Sequence, residues 1–284
     1  MCNDWSKDNE MRASKEKNVQ LQEILLGLKR VAVAYSGGID STFLLYSAVQ
    51  TLGGENVKAY TCVSEVNAEH SLVGMRNVFA KHFAGRIDLH EVRLHPLMWK
   101  EFAVNDGNRC YFCKRRMYLA LLDEVRKENY FVLVDGTNRD DLKKNRPGLR
   151  AIRELNVQTP LAEAGLTKEE IRLLARSNDL VNSDLPSNSC LATRIAQGVN
   201  ITQSRMAVIE KAEKYLHQLG FNGCRVKIDG DTARIELNRN DFVSLVKDDV
   251  RISVLRKFYD LGLPKVSLDL TARSLSEVKL QKIW

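Results

Sequence analysis

Four short stretches of this 284-residue chain hold residue types at spacings suited to phosphoryl or sulfur chemistry. Ser36-Gly-Gly-Ile-Asp-Ser41 lies between an apolar run and a helical one, gathering backbone N–H groups and a helix N-terminus around one small volume. Its glycines let the backbone approach bound oxygens without Cβ obstruction. Neither the Gly-x-x-x-x-Gly-Lys-Ser/Thr loop nor the Gly-x-Gly-x-x-Gly fingerprint is matched. Gly136-Thr-Asn138 closes a second apolar run; it reads either as an ordinary strand exit or as a ligand contact at the end of a parallel strand. Cys110-Tyr-Phe-Cys113 spaces two thiols for one metal centre, iron–sulfur or zinc, or for a redox dithiol. Cys190 would bring a third thiolate, or would act alone as a nucleophile, with Arg194 four residues on lowering its pKa or binding a phosphate. Cys62 reads as core packing on a strand, while Cys2 and Cys224 carry no motif.

These residues need a scaffold, and the hydrophobic pattern supplies one. Met1 to Lys17 reads as a loose polar lead-in and Val19 to Leu28 as an amphipathic helix with Leu21, Ile24, Leu25 and Leu28 on one face. Strands are predicted at 31–35, 57–63, 87–94 and 131–135, with helices at 42–51, 68–83 and 114–127 between them. Such alternation implies an α/β fold with a doubly wound parallel sheet. Arg139 to Leu149, charged and containing Pro147-Gly148, reads as a mobile surface loop. Thr167 with Glu170 makes a capping box for a helix to Arg176. Asp184 to Arg194 reads as a hinge, placing a larger α/β domain that carries the glycine turn at 18–185 and a smaller α+β domain at 186–284. The latter is expected to hold a helix at 203–219, two strands around Asp229-Gly230, a helix at 241–261 and a strand at 265–270.

Composition excludes much. Hydrophobic residues at 44% and charged residues at 28% fit a globular chain rather than a coiled coil or a disordered one. No apolar run reaches the ~20 residues that a bilayer requires, and the start has no secretory h-region. With six cysteines in no disulfide-scaffold pattern, a reducing cytoplasmic setting is expected. The net charge of +7 suits a phosphate-rich partner, but the basic and acidic residues are interspersed, and nucleic acid is not the expected one.

Ser36, Asp40 and Ser41 around their two glycines resemble the PP-loop signature of enzymes that cleave ATP to AMP and pyrophosphate. That resemblance implies that Ser36, Gly37, Gly38, Asp40 and Ser41 hold the pyrophosphate end of ATP, that Asp40 approaches Mg2+, and that Gly136 and Asn138 belong to the same site. Taken with Arg109-Cys-Tyr-Phe-Cys-Lys114, Asp135-Gly-Thr-Asn138, Arg146-Pro-Gly-Leu-Arg150, Thr159-Pro-Leu-Ala-Glu-Ala-Gly-Leu166 and Ser189-Cys-Leu-Ala-Thr-Arg194, the chain is similar to the LarE family from about residue 20 to 270. These are ATP-dependent sulfur transferases of nickel-pincer nucleotide biosynthesis. The resemblance implies adenylation of the carboxylates of a pyridinium-3,5-dicarboxylate mononucleotide, then conversion to thiocarboxylates. In single-cysteine members the residue matching Cys190 surrenders its own sulfur and becomes dehydroalanine. Cys110 and Cys113 depart from that pattern and resemble members thought to carry a [4Fe-4S] cluster on three cysteines, here Cys110, Cys113 and Cys190, which favours a sulfide reloaded from a sulfur donor. Thr193, Arg194, Arg225 and Lys227 match a substrate-phosphate patch, Lys227 standing where arginine is expected, and Glu213 and Glu236 match acidic residues near the site. Self-association and contact with other proteins of that biosynthesis are implied too. A tRNA thiolase with a cluster, or an ammonia-using ligase of the NAD- or GMP-synthetase type, are the alternative readings of the same nucleotide loop.

Overall fold

The computed structural model describes residues 2–127, 131–143, 147–185 and 189–273, with side chains from residue 9 onward. The chain divides into two compact units, one of Met1–Pro96 with Asn108–Asn188, the other of Leu97–Gly107 with Ser189–Trp284.

The first unit opens on α1 (Cys2–Leu28), so the expected loose lead-in is helical instead. The polar stretch is held by packing rather than by propensity. Ser14 is buried, with its hydroxyl donating to the Glu10 carbonyl at 2.8 Å, and Lys17 pairs with Glu170 at 2.6 Å. β1 (Val31–Ala34), α2 (Ile39–Leu52), β2 (Val57–Ser64), α3 (Glu69–Phe83) and β3 (Leu89–Leu94) follow. The chain then passes through the other unit, with a one-turn helix α4 (Lys100–Ala103), and returns as α5 (Arg109–Lys127) and β4 (Val132–Asp135). α6 (Arg139–Leu142), α7 (Pro147–Glu154), α8 (Pro160–Glu163) and α9 (Lys168–Ser177) complete it.

The four strands form one parallel sheet in the order β3-β2-β1-β4. Alternate residues of β1 point to opposite faces. Val31 and Val33 join a core with Leu21, Leu25, Phe43, Leu44 and Ile171, whereas Ala32 joins Tyr118, Leu121, Val125, Leu149 and Ile152 of α5 and α7. Both faces are therefore covered, as the uniformly apolar Val31–Ala34 run requires. Because β2 and β3 extend from one side of β1 and β4 lies on the other, the strand order reverses between β1 and β4. Open α/β sheets bind ligands outside the carboxyl ends of the strands at such a point.

The segment read as a mobile loop contains two helices. Asn138 caps α6, and Pro147, which lacks the N–H that a first helical residue does not need, opens α7, burying Leu149, Ala151 and Ile152. Residues 144–146, including Arg146 of the quoted motif, lie outside the described residues, as do 186–188 of the expected hinge.

The second unit holds α10 (Gln203–Gln218), the antiparallel pair β5 (Arg225–Asp229) and β6 (Thr232–Glu236), α11 (Phe242–Leu245), α12 (Asp248–Asp260) and β7 (Lys265–Leu268), which pairs parallel with β6. The single helix expected over 241–261 is broken at Val246-Lys247. Asp248 and Asp249 in the next turn favour a fresh N-terminus, where the helix dipole is positive. Among the described residues, no helix is long and apolar enough to cross a membrane.

Candidate active site

Ser36 to Ser41 joins β1 to α2 and sits directly at the strand-order reversal. One carbonyl organises the turn: Gly38 O accepts from the Ser41 hydroxyl at 3.0 Å, the Thr42 hydroxyl at 3.0 Å and the Thr42 N–H at 2.9 Å. The Ser36 N–H donates to Ser41 Oγ at 3.1 Å, and the two serine hydroxyls are 3.0 Å apart. Gly37 has φ +75°, and a Cβ there would lie 2.6 Å from the Met75 side chain, so glycine is required on both counts.

Gly136, beyond β4, closes against the same turn. A Cβ on it would stand 2.9 Å from the Ser41 backbone nitrogen. The tripeptide that sequence leaves open as a plain strand exit is thus packed against the start of α2. Asn138 serves two purposes: its Oδ1 accepts from the Asp140 and Asp141 N–H groups at 2.9 and 3.2 Å, and its Nδ2 donates to Asp40 Oδ1 at 3.2 Å. The other Asp40 oxygen accepts from the ammonium of Lys168 at the start of α9.

Asp135, the last residue of β4, anchors the surroundings. Its Oδ1 accepts from the Thr137 N–H at 2.7 Å and from the Thr137 hydroxyl; its Oδ2 accepts from the Tyr118 hydroxyl and faces Lys114 Nζ at 3.6 Å. Burial pushes the carboxyl upward, but Lys114 and the hydrogen bonds from Thr137 and Tyr118 together outweigh it and hold Asp135 below the usual carboxylate range. Burial, with Asp135 beside it, drives the Tyr118 phenol well up. Through Lys114 and Tyr118 the strand end is tied to α5, the helix that carries Cys110 and Cys113 in its first turns.

Cys110 is exposed and Cys113 half-buried, three residues apart on that helix. Such a pair offers two thiolates to one ligand. Within each unit, among the described residues, no three His, Cys, Asp or Glu side chains gather into a group able to hold a metal. The glycine turn brings together backbone amides, two hydroxyls, a carboxylate and an ammonium, groups whose chemistry suits a polyphosphate with its divalent cation.

In the second unit Cys190 precedes a 3-10 turn, Leu191–Arg194, and is half-buried. Thr193 clasps it: the Thr193 N–H and hydroxyl donate to the Cys190 carbonyl at 3.0 and 2.8 Å. Arg194 is buried beneath the turn. Its Nη1 donates to the Ser189 carbonyl at 2.7 Å, the Ser189 hydroxyl at 2.6 Å and the Cys190 carbonyl at 3.2 Å, and its Nε pairs with buried Glu213 at 3.0 Å. Glu213 also accepts the Val226 N–H at 2.9 Å, fixing β5 against the turn. Arg194 thus holds the Cys190 turn and Glu213 at once. Lys227 pairs with Glu236 at 2.5 Å and stays partly exposed. Burial, with the charges of Arg273 and Arg194, pushes the Arg225 guanidinium down to about 10. Arg194, Arg225 and Arg273 act electrostatically on one another and outnumber Glu213 and Glu236, the acidic groups that offset them.

No protein-family model matches the chain. It is, however, 31% identical over 254 residues to the pyridinium-3,5-bisthiocarboxylic acid mononucleotide synthase of Lactiplantibacillus plantarum, covering 89% of this chain and 90% of that protein. The chain belongs to the LarE family. An uncharacterised protein of Synechocystis sp. is 34% identical over 262 residues, 92% of this chain and 95% of its own length. Another from Methanocaldococcus jannaschii is 30% identical over 246 residues, 85% and 90% of the two lengths.

Several residues of this LarE chain escape sequence reading. Lys168 follows a visible N-cap, but its partner Asp40 is 128 residues away. Asn182, 1% exposed, donates to the Gly37 carbonyl at 3.0 Å and to the Thr42 hydroxyl at 2.9 Å, and no local pattern marks it. Arg273 joins the cationic group of the second unit only through the fold, donating to the Gly223 carbonyl.

Proposed function

We propose that this chain is an ATP-dependent sulfur transferase acting on the carboxylates of a pyridinium-3,5-dicarboxylate mononucleotide. The observation that carries the reading is the glycine turn at the strand-order reversal, with Asp40, Asn138 and Gly136 gathered on it, in a chain 31% identical to a named bisthiocarboxylate synthase. Ser36, Gly37, Gly38 and Ser41 would cradle the pyrophosphate end of ATP, and Asp40, oriented by the Asn138 amide, would be the carboxylate that holds Mg2+. Bound there, the cation screens the phosphate charge that would repel an incoming carboxylate. A substrate carboxylate oxygen attacks the α-phosphorus, pyrophosphate leaves, and the acyl-adenylate has AMP as its leaving group. A sulfur nucleophile then displaces AMP.

Cys190 is proposed to present that sulfur. Thr193 and Arg194 fix its backbone, and Arg225 and Lys227 hold the substrate phosphate, where an anion relieves the excess of cations. If the sulfur is that of Cys190, the intact mass falls by one molecule of hydrogen sulfide as the residue becomes dehydroalanine, and each chain turns over once. If the sulfide were instead supplied from a cluster, the mass would stay unchanged and turnover would continue with added sulfide. The decisive experiment supplies the dicarboxylate mononucleotide, ATP and Mg2+ and follows AMP, pyrophosphate and thiocarboxylate together. A Cys190→Ala variant should release pyrophosphate without making thiocarboxylate; full sulfur transfer by that variant would remove Cys190 from the reaction. A tRNA thiolase would instead show a salt-dependent shift with bulk tRNA.

A further inference from the structure

Asp40 is expected to face a divalent cation, yet both of its oxygens are already engaged, one by the Asn138 amide and one by the Lys168 ammonium. A divalent ion approaching those oxygens competes directly with the ammonium, because two cations on one carboxylate oxygen repel each other. Lys168 is built for release. Its backbone is fixed: Thr167 caps α9 in a capping box, and the Lys168 N–H donates to Asp140 Oδ2 at 2.9 Å. Its side chain is 27% exposed, so the ammonium is free to swing by rotamer change while α9 stays still.

We propose that Lys168 is a nucleotide-binding residue that shares its charge between Asp40 and the phosphates: as Mg2+ takes the Asp40 carboxylate, the ammonium transfers to the polyphosphate held by the same turn. The inference rests on the reading of Ser36–Ser41 as an ATP site and adds to it a residue from a different helix, 127 positions beyond Ser41 in the numbering. It implies opposite responses to two ligands. Without the ammonium, Asp40 meets a metal ion unopposed, whereas the phosphates lose a cation.

The test uses the full chain with Lys168→Met and Lys168→Arg. Mn2+ binding without nucleotide is followed by electron paramagnetic resonance, and ATP binding with saturating Mg2+ by equilibrium dialysis. Lys168→Met should bind Mn2+ several-fold more tightly and ATP about ten-fold more weakly, the loss of one charge-assisted hydrogen bond. Lys168→Arg, which keeps the charge, should stay within about three-fold of wild type for both ligands, since only geometry changes. Unchanged ATP affinity in Lys168→Met, unchanged Mn2+ affinity, or parallel weakening of both ligands, as from general damage, overturns the proposal. Failure of the wild-type chain to bind ATP at all overturns the nucleotide reading itself.

Discussion

Arg194 and Glu213 form an ion pair 3.0 Å long with side chains only 3% and 2% exposed, and the Cys190 turn rests on it. Glu213 fixes the guanidinium from below while Nη1 reaches three oxygens of Ser189 and Cys190. Removing one partner leaves a buried charge uncompensated, so Arg194→Met should cost about 3–5 kcal/mol in urea unfolding. Arg194→Lys keeps the charge but not the planar fork, and should lose the turn while retaining part of the stability. If Arg194→Met unfolds at the wild-type urea concentration, the pair does not hold the turn.

Gly136 faces the backbone of Ser41, which cannot yield as a flexible side chain can. Gly136→Ala should weaken ATP binding by at least ten-fold through displacement of the glycine turn, with a stability loss of about 1–3 kcal/mol from overpacking. Asn182→Asp, which replaces a donor to the Gly37 carbonyl by an acceptor, should act in the same direction. Equilibrium dialysis with ATP reads both variants; wild-type affinity in Gly136→Ala would separate the β4 exit from the nucleotide.

Asp135 links stability to acid. Its folded-state pKa is depressed, so the stability it contributes is present above the unfolded value of about 4 and is lost as pH falls through the folded value. Asp135→Asn should be less stable than wild type at neutral pH. The difference should shrink steadily below about pH 4, as the wild-type carboxyl takes up its proton. Thermal melts of both proteins across that window test the sign, and a gap that widens in acid would contradict it.

The thiols should separate by reactivity. Burial pushes Cys62 and Cys224 up to about 12, leaving almost no thiolate at pH 8, while Cys110 is exposed. Iodoacetamide footprinting by mass spectrometry should label Cys110 well before Cys62 and Cys224. Early labelling of Cys62 would show that its side of α5 opens readily. Iron bound on anaerobic reconstitution, if it sits on the paired thiols, should fall in Cys110→Ser; unchanged iron would place it elsewhere.

Much of the first unit is legible in local pattern. An all-apolar Val31–Ala34 run has to be covered on two faces, and the Thr167/Glu170 box marks the start of α9 through contacts only three residues apart. Misreadings fall where distant packing overrides local texture. Met1–Lys17 is too polar to suggest a helix, yet Ser14 is buried in one and Lys17 reaches Glu170. Pro147-Gly148 looks like a breaker, but proline at a first helical position costs nothing.

The candidate site divides along the same line. Which residues are candidates for the chemistry is legible in the chain, because Ser36 to Ser41 sets two glycines, two serines and an aspartate within six positions and Cys110 and Cys113 stand three apart. How each is held is not. Asp40 meets Asn138 and Lys168, Gly37 meets Asn182, and Glu213 meets Arg194 only because parallel strands and packed helices bring together positions that are 19 to 145 residues apart. Local sequence encodes backbone preference and burial over a few residues. The partner of a buried charge is chosen by the whole unit, since leaving that charge unmatched would cost more than most single contacts supply.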